Sequence, residues 1–266
     1  MMEGVHIEVL YFLIGLLASI FGSIAGIGGG VIIKPVLDSF GHYDVATISI
    51  LSTTTVLSMA CVSLIKSAFS KIQLKIKVSS ILACASIAGG IIGKMVFNNL
   101  VNATNNLDSV SLIQSTILTI LMLAIFIYYK NKNSIPSFNL NNIVFIFLIG
   151  FVLGMIAAFL GVGGGPFNVA ILALGFSMSA KDTSVNSLFI IFFSQMASLI
   201  TTRVTTGFEP FNLELLPFIV AGGIIGGLIG SFLLSKVKNK HVENIFSVGV
   251  MIILLLNFFN VITFLL

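Results

Sequence analysis

Eight stretches of this chain, at 5–25, 46–65, 76–97, 109–129, 143–160, 183–202, 211–234 and 242–266, run for 18 residues or more with no more than two charged residues each. At about 1.5 Å per residue, each spans the roughly 30 Å hydrocarbon core of a bilayer as a helix. Of the 266 residues, 57% are hydrophobic and only 8% charged, against about 25% charged in an ordinary soluble domain. The mean hydropathy is +1.15, and polar surface is too scarce to cover a water-soluble particle. The expected class is an all-α polytopic membrane protein, and soluble enzyme folds are excluded.

Two further apolar stretches, at 31–40 and 166–176, are too short to cross alone and follow glycine clusters. The clusters are Gly26-Ile27-Gly28-Gly29-Gly30 and Gly161-Val162-Gly163-Gly164-Gly165. Irregular backbone at membrane depth is tolerated only where protein or a water-filled cavity surrounds it. These two places are therefore the unusual elements of the chain.

Shifting the sequence by 135 residues lays FLIGLLASIFGSIAGIGGG over FLIGFVLGMIAAFLGVGGG, with eight of nineteen positions identical. The chain reads as an internal duplication: a first repeat over 1–129, a polar, proline-containing linker over 130–142, and a second repeat over 143–266. Each half has four long segments plus one short helix after a glycine-rich loop. The first segment lacks the basic start of a signal peptide, and its counterpart at 143–160 is internal, so it reads as part of the fold.

If the short segments are re-entrant, Lys and Arg divide seven to four between the two sides. If they complete a fifth crossing, ten lysines gather on one side and Arg203 stands on the other. The second arrangement fits the positive-inside rule better. It places the loops around Lys71 and Lys238 in the cytoplasm and both termini outside. Five crossings per half also makes the halves inverted repeats, as in many secondary transporters.

A helix that starts after a glycine loop at membrane depth exposes unpaired backbone N–H groups and the positive end of its dipole, a natural anion site. The substrate-binding candidates are thus Gly28, Gly29, Gly30, Gly163, Gly164 and Gly165, with tight helix packing, as in the GxxxG spacing of Gly22, Gly26 and Gly30, as the alternative. Lys34 is one turn into the first short segment, where it serves either as a charge partner for an anion or as a lysine reaching an interface or Asp38. Asn168 in the second short segment, Ser52 and Thr53, and Asn186 and Ser187 are candidate polar donors, with hydroxyls bonding back to their own helices as the alternative. Gln195 and Arg203 are isolated polar residues in the same part of the second half. The glycines at 89, 93, 222, 226 and 230 lie within continuous segments and read as helix-packing positions.

No GK[ST] follows either glycine cluster, so neither is a nucleotide-binding loop. Cys61 and Cys84 form no CxxC pair, and His6, His42 and His241 are scattered, so no metal site, cofactor or hydrolytic centre is expected. The net charge of +4 comes from lysines at segment ends and does not imply nucleic acid.

GIGGGVIIKPVL in the first half and GVGGGPFNVAIL in the second resemble the paired glycine motifs of the sulfite exporter TauE/SafE-like family. In the second motif Ala170 stands where the first has Pro35, and Pro166 directly follows the glycines. The two half-sites are therefore expected to differ chemically. The resemblance implies a bacterial cytoplasmic-membrane transporter, not an enzyme, that moves sulfite or a related small sulfur-containing or organic anion. The expected partners are that anion, a coupling proton or ion, and the bilayer; small-residue helix faces permit a homo-oligomer without demanding one. A channel, a transporter for another small ion, and a membrane scaffold without transport are the alternatives.

Overall fold

A computed structural model describes residues 2–104, 107–132, 134–160 and 163–265. Among them the chain forms ten helices: α1 (Met2–Ala25), α2 (Gly30–Phe40), α3 (Val45–Ala68), α4 (Ile76–Thr104), α5 (Leu107–Lys130), α6 (Ile143–Leu160), α7 (Gly165–Phe176), α8 (Ala180–Thr205), α9 (Leu216–Lys236) and α10 (Asn239–Leu265). Eight are long and apolar enough to cross a membrane. α7 is a short apolar helix, and the equally short α2 carries Lys34 and Asp38. The apolar run at 211–234 becomes helical only from Leu216, because Pro217 is accommodated in the first turn and the preceding residues form a loop.

Glycine seams set the packing. In lipid, helices gain little by hiding apolar side chains from each other, so close backbone contact takes over. A Cβ on Gly222 would meet the Phe12 carbonyl and the Leu16 nitrogen. On Gly226 it would meet the Leu16 carbonyl, and on Gly230 it would lie 2.6 Å from the Ile20 carbonyl. α9 therefore lies along α1 in parallel, one residue step for each residue step. On its other side, Gly223 and Gly227 face Thr55, Met59 and Val62 of α3.

A second seam joins α4 to α6. Gly89 and Gly93 of α4 sit against the Phe151 and Met155 backbone, while Gly150 and Gly154 of α6 sit against Leu82 and Ser86. This pair is also parallel.

The loops fix the directions. At one end of the bundle the Gln73 N–H donates to Asp182 at 2.8 Å, Lys75 Nζ to the Phe176 carbonyl at 3.3 Å, and the Lys181 N–H to Asn239 at 3.1 Å. Lys132 pairs with Glu243 at the same end. α4 starts there and α9 ends there, so α1 and α6, each parallel to its partner, run in opposite directions. Residues 137–140 close the same end, with Phe138 and Leu140 N–H groups bonded to the Leu174 and Gly175 carbonyls. At the opposite end Arg203 pairs with Glu209 at 2.9 Å.

α2 doubles back along α1. The Tyr11 hydroxyl, far from the glycine loop, lies 3.3 Å from His42 Nδ1 just beyond the end of α2.

Neighbouring glycines in α4 give a test of the seam. A Cβ on Gly89 collides with the Phe151 carbonyl, whereas on Gly90 its nearest neighbours are 3.8 Å away. Gly89→Ala should lower stability by about 1 to 3 kcal/mol, read as a fall in Tm of the detergent-solubilised protein. Gly90→Ala should leave Tm unchanged or raise it, since alanine favours the helix by up to about 1 kcal/mol.

Candidate substrate site

The two glycine loops meet inside the bundle. A Cβ on Gly165 would overlap the Ile27 carbonyl, so the start of α7 rests directly on the first loop. Gly22 packs against the backbone of Gly28 and Gly29, and Gly26 against Ser184 of α8. Gly26, Gly28, Gly163 and Gly164 have φ of 71°, 71°, 72° and 80°, left-handed values that side chains with a Cβ rarely adopt. Residues 161 and 162 of the second motif lie outside the described residues.

Breaking a helix at this depth leaves carbonyls that water cannot reach, and polar side chains take them. Ser184 Oγ donates to the Ile24 carbonyl at 2.9 Å, and Ser187 Oγ donates to the Gly26 carbonyl. Gln114 Nε2 donates to the Phe159 carbonyl near the end of α6. The Ile24, Gly26 and Phe159 carbonyls are thereby bonded.

The donors are treated differently. α3 and α8 begin with side-chain caps: Asp44 accepts from the Ala46 and Thr47 N–H groups, and Ser179 from that of Asp182. The Thr47 hydroxyl and N–H bonds hold the Asp44 carboxyl below its usual pKa range. α2 and α7 start from Gly29 and Gly164 with no side-chain cap. The first α2 amides to bond within the turn are those of Ile32 and Ile33, both to the Gly29 carbonyl. Those of Gly30 and Val31 precede this turn, at the positive end of the helix dipole.

At that helix start lies a narrow cavity of about 30 Å³, lined by Gly28, Gly30, Lys34, Ser52, Thr53 and Gly163 among the anticipated residues. Val56 of α3 and Ile191 and Gln195 of α8 complete its main walls. Val56 and Ile191 lie about midway along α3 and α8, so the cavity sits near the middle of the bundle. Ser52 is 1% exposed, and its Oγ would lie 3.1 Å from a Cβ on Gly30. Within the second half, Gln195 Nε2 lies 3.3 Å from where a Cβ on Gly163 would stand.

The other anticipated residues lie outside the cavity lining. Gly29, Gly164 and Gly165 shape the loops, and Asn168, 4% exposed, folds its amide over Gly164. Ser187 holds the Gly26 carbonyl. Asn186 is fully buried and ties α8 to the loop before α4. Its Oδ1 accepts from the Lys75 N–H at 2.8 Å and the Ser79 hydroxyl at 2.6 Å, while Nδ2 donates to the Gln73 and Asp182 carbonyls.

The family model described as "Sulfite exporter TauE/SafE" matches residues 11–257. The chain belongs to this family. No curated protein and no solved structure matches it. As a TauE/SafE protein it is a multi-pass membrane transporter, and the family is one of transporters rather than enzymes. The match includes both glycine loops and every residue that lines the cavity.

Sequence reasoning had no means of finding Val56 and Ile191, since each is one apolar residue within an apolar span. Gln195 left a signal, as an amide in such a span.

The Asn186 cluster yields a stability test. Asn186→Leu removes the acceptor for Lys75 N–H and the Ser79 hydroxyl, costing about 2 to 5 kcal/mol. The expected readout is a lower Tm together with faster proteolysis within residues 69–75.

Proposed function

We propose that this TauE/SafE protein carries sulfite, or a related small sulfur-containing anion, across the bacterial cytoplasmic membrane by alternating access. The observation that carries the reading is the uncapped start of α2, which opens into a mid-bundle cavity shared with Lys34 and Ser52. An anion with several oxygens accepts from the Gly30 and Val31 amides, the Ser52 and Thr53 hydroxyls and the Gln195 amide, while Lys34 supplies charge. An ammonium at this depth is costly and marks a functional place. Gly28 and Gly163 leave room for the anion to approach backbone, and Gly29, Gly164, Gly165 and Asn168 hold the loops in shape. Asn186 and Ser187 act as the frame around them.

The two repeats are residues 1–129 and 143–266, joined by 130–142, and they are inverted. In support, α1 rests on α9 as its sequence counterpart α6 rests on α4, and α1 and α6 run in opposite directions. Because the α1–α9 and α4–α6 seams each join one repeat to the other, each seamed pair moves as a unit, and movement of these units about the meeting point of the loops exposes the site to each side in turn. The lysine-rich end faces the cytoplasm, following the positive-inside rule. A coupling proton or ion, or the membrane potential itself, supplies the driving force for moving the charge.

Flux into proteoliposomes tests the mechanism, with sulfite, sulfate and sulfoacetate offered in parallel. Sulfite flux should saturate. Lys34→Gln should reduce it about tenfold or more, the scale of a lost charge-assisted hydrogen bond. Gly30→Val, which presses on Ser52 and Val56, should abolish flux in protein of unchanged oligomeric profile. Flux that rises without saturation would indicate a channel, and undiminished flux in both variants would remove the helix-start site.

Orientation is tested separately by single cysteines in a background lacking Cys61 and Cys84. A cysteine at Lys71 should resist a membrane-impermeant thiol reagent applied to intact cells, and one at Asn212 should react. The reverse pattern would invert the topology.

A further inference from the structure

A second cavity, of about 660 Å³, opens at the lysine-rich end between the last turns of α3 and α9 and the first turn of α8. Four of its lining residues are lysines, at 66, 71, 181 and 236, and Asp182 is its only carboxylate. That carboxylate already accepts from the Gln73 N–H at 2.8 Å and the Ser179 hydroxyl at 2.7 Å. Lys66 Nζ and Lys236 Nζ both lie over the Phe232 ring, at 5.9 and 5.7 Å from its centre. Two like charges are thus drawn to one ring. Among the described residues the two ion pairs are Lys132–Glu243 and Arg203–Glu209, neither of them in this basin. Lys181 Nζ donates to the Ser235 carbonyl at 2.9 Å, and with four lysines against one carboxylate the basin holds an excess of positive charge.

Its rim is apolar. Phe69 is 86% exposed, and Ile65, one residue before Lys66, is also exposed. On α9 the exposed residues Ile225, Ile229 and Phe232 follow the i, i+4, i+7 spacing of one helix face. They form a stripe about 10 Å long that runs from the hydrocarbon depth of the bundle up to the basin. A free anion has no use for this stripe, whereas a lipid's acyl chain fits it.

We propose that the basin is a binding site for an anionic phospholipid, with its phosphate group among the four lysines and one acyl chain along Phe232, Ile229 and Ile225. Basic pockets between membrane helices favour such headgroups, and the aromatic ring beneath the ammoniums holds them at the interface level. The lipid bridges α3, α8 and α9, helices contributed by both halves of the chain, and so stabilises the folded bundle. The site stands apart from the central cavity and does not depend on what the transporter carries.

The test measures lipid retained by the purified full chain, by native mass spectrometry, alongside Tm in detergent. Phosphatidylglycerol, phosphatidylcholine and glycerol 3-phosphate are the probes, the last offering the phosphate without acyl chains. Phosphatidylglycerol should be retained at least tenfold over phosphatidylcholine and should raise Tm, and glycerol 3-phosphate should do neither. Lys71→Gln and Lys236→Gln should each reduce phosphatidylglycerol retention about fivefold. Lys77→Gln and Lys238→Gln, at the same end but outside the basin, should leave it unchanged. Ile229→Ser, which keeps every lysine, should also weaken retention. Equal retention of the two lipids, or equal losses in both pairs of lysine variants, would overturn the site. Stabilisation by glycerol 3-phosphate as large as that by phosphatidylglycerol would overturn the lipid assignment in favour of a soluble phosphate. Transport is not a readout, so failure of this proposal and failure of the anion-carrier reading are distinguishable.

Discussion

The Ile27 carbonyl rests against Gly165, where a methyl group would collide with it, and through this contact the two interrupted regions of the bundle support one another. A bilayer offers no water to unpaired backbone groups, so a break in a helix at depth survives only inside protein. Here the breaks are placed back to back. Among the carbonyls they release, those of Ile24, Gly26 and Phe159 are taken by Ser184, Ser187 and Gln114, while the amides at the start of α2 have no side-chain cap. Donors without a cap, set beside a cavity and a lysine, are the features on which the proposed anion site rests.

Around this centre, glycine does two kinds of work. In α4, α6 and α9 it removes side chains so that neighbouring backbones touch, which makes two parallel seams and leaves little freedom in how the helices sit. In the loops it allows left-handed backbone at Gly26, Gly28, Gly163 and Gly164. The two halves nevertheless differ in detail. α2 keeps Lys34 and Pro35, and its start is open to the cavity; α7 has Pro166 in its first turn and Asn168 folded over Gly164. The central cavity is consequently built mainly from the first loop and α3, with Gly163, Ile191 and Gln195 closing it from the second half.

The sequence by itself determined the class of fold and the places where it is broken. Runs of 18 or more apolar residues leave a chain little choice but membrane-spanning helices, and glycine clusters before short apolar stretches mark where a helix cannot be continuous. Six of the anticipated residues line the central cavity, and three of them, Gly28, Gly30 and Lys34, do so because they sit at the first helix start, which local spacing reveals. The division of labour among the remaining polar residues was decided by tertiary structure alone. Nothing local distinguishes Asn186, whose amide is consumed in tying α8 to residues 73–79, from Gln195, which faces the cavity. Val56 and Ile191 become part of a site only because α3 and α8 cross beside the loops. The lysine basin likewise exists only because residues of α3 end at the same height as residues of α8 and α9 more than a hundred positions away. Hydropathy and glycine are read along the chain, whereas which polar group is already bonded depends on neighbours that only packing supplies.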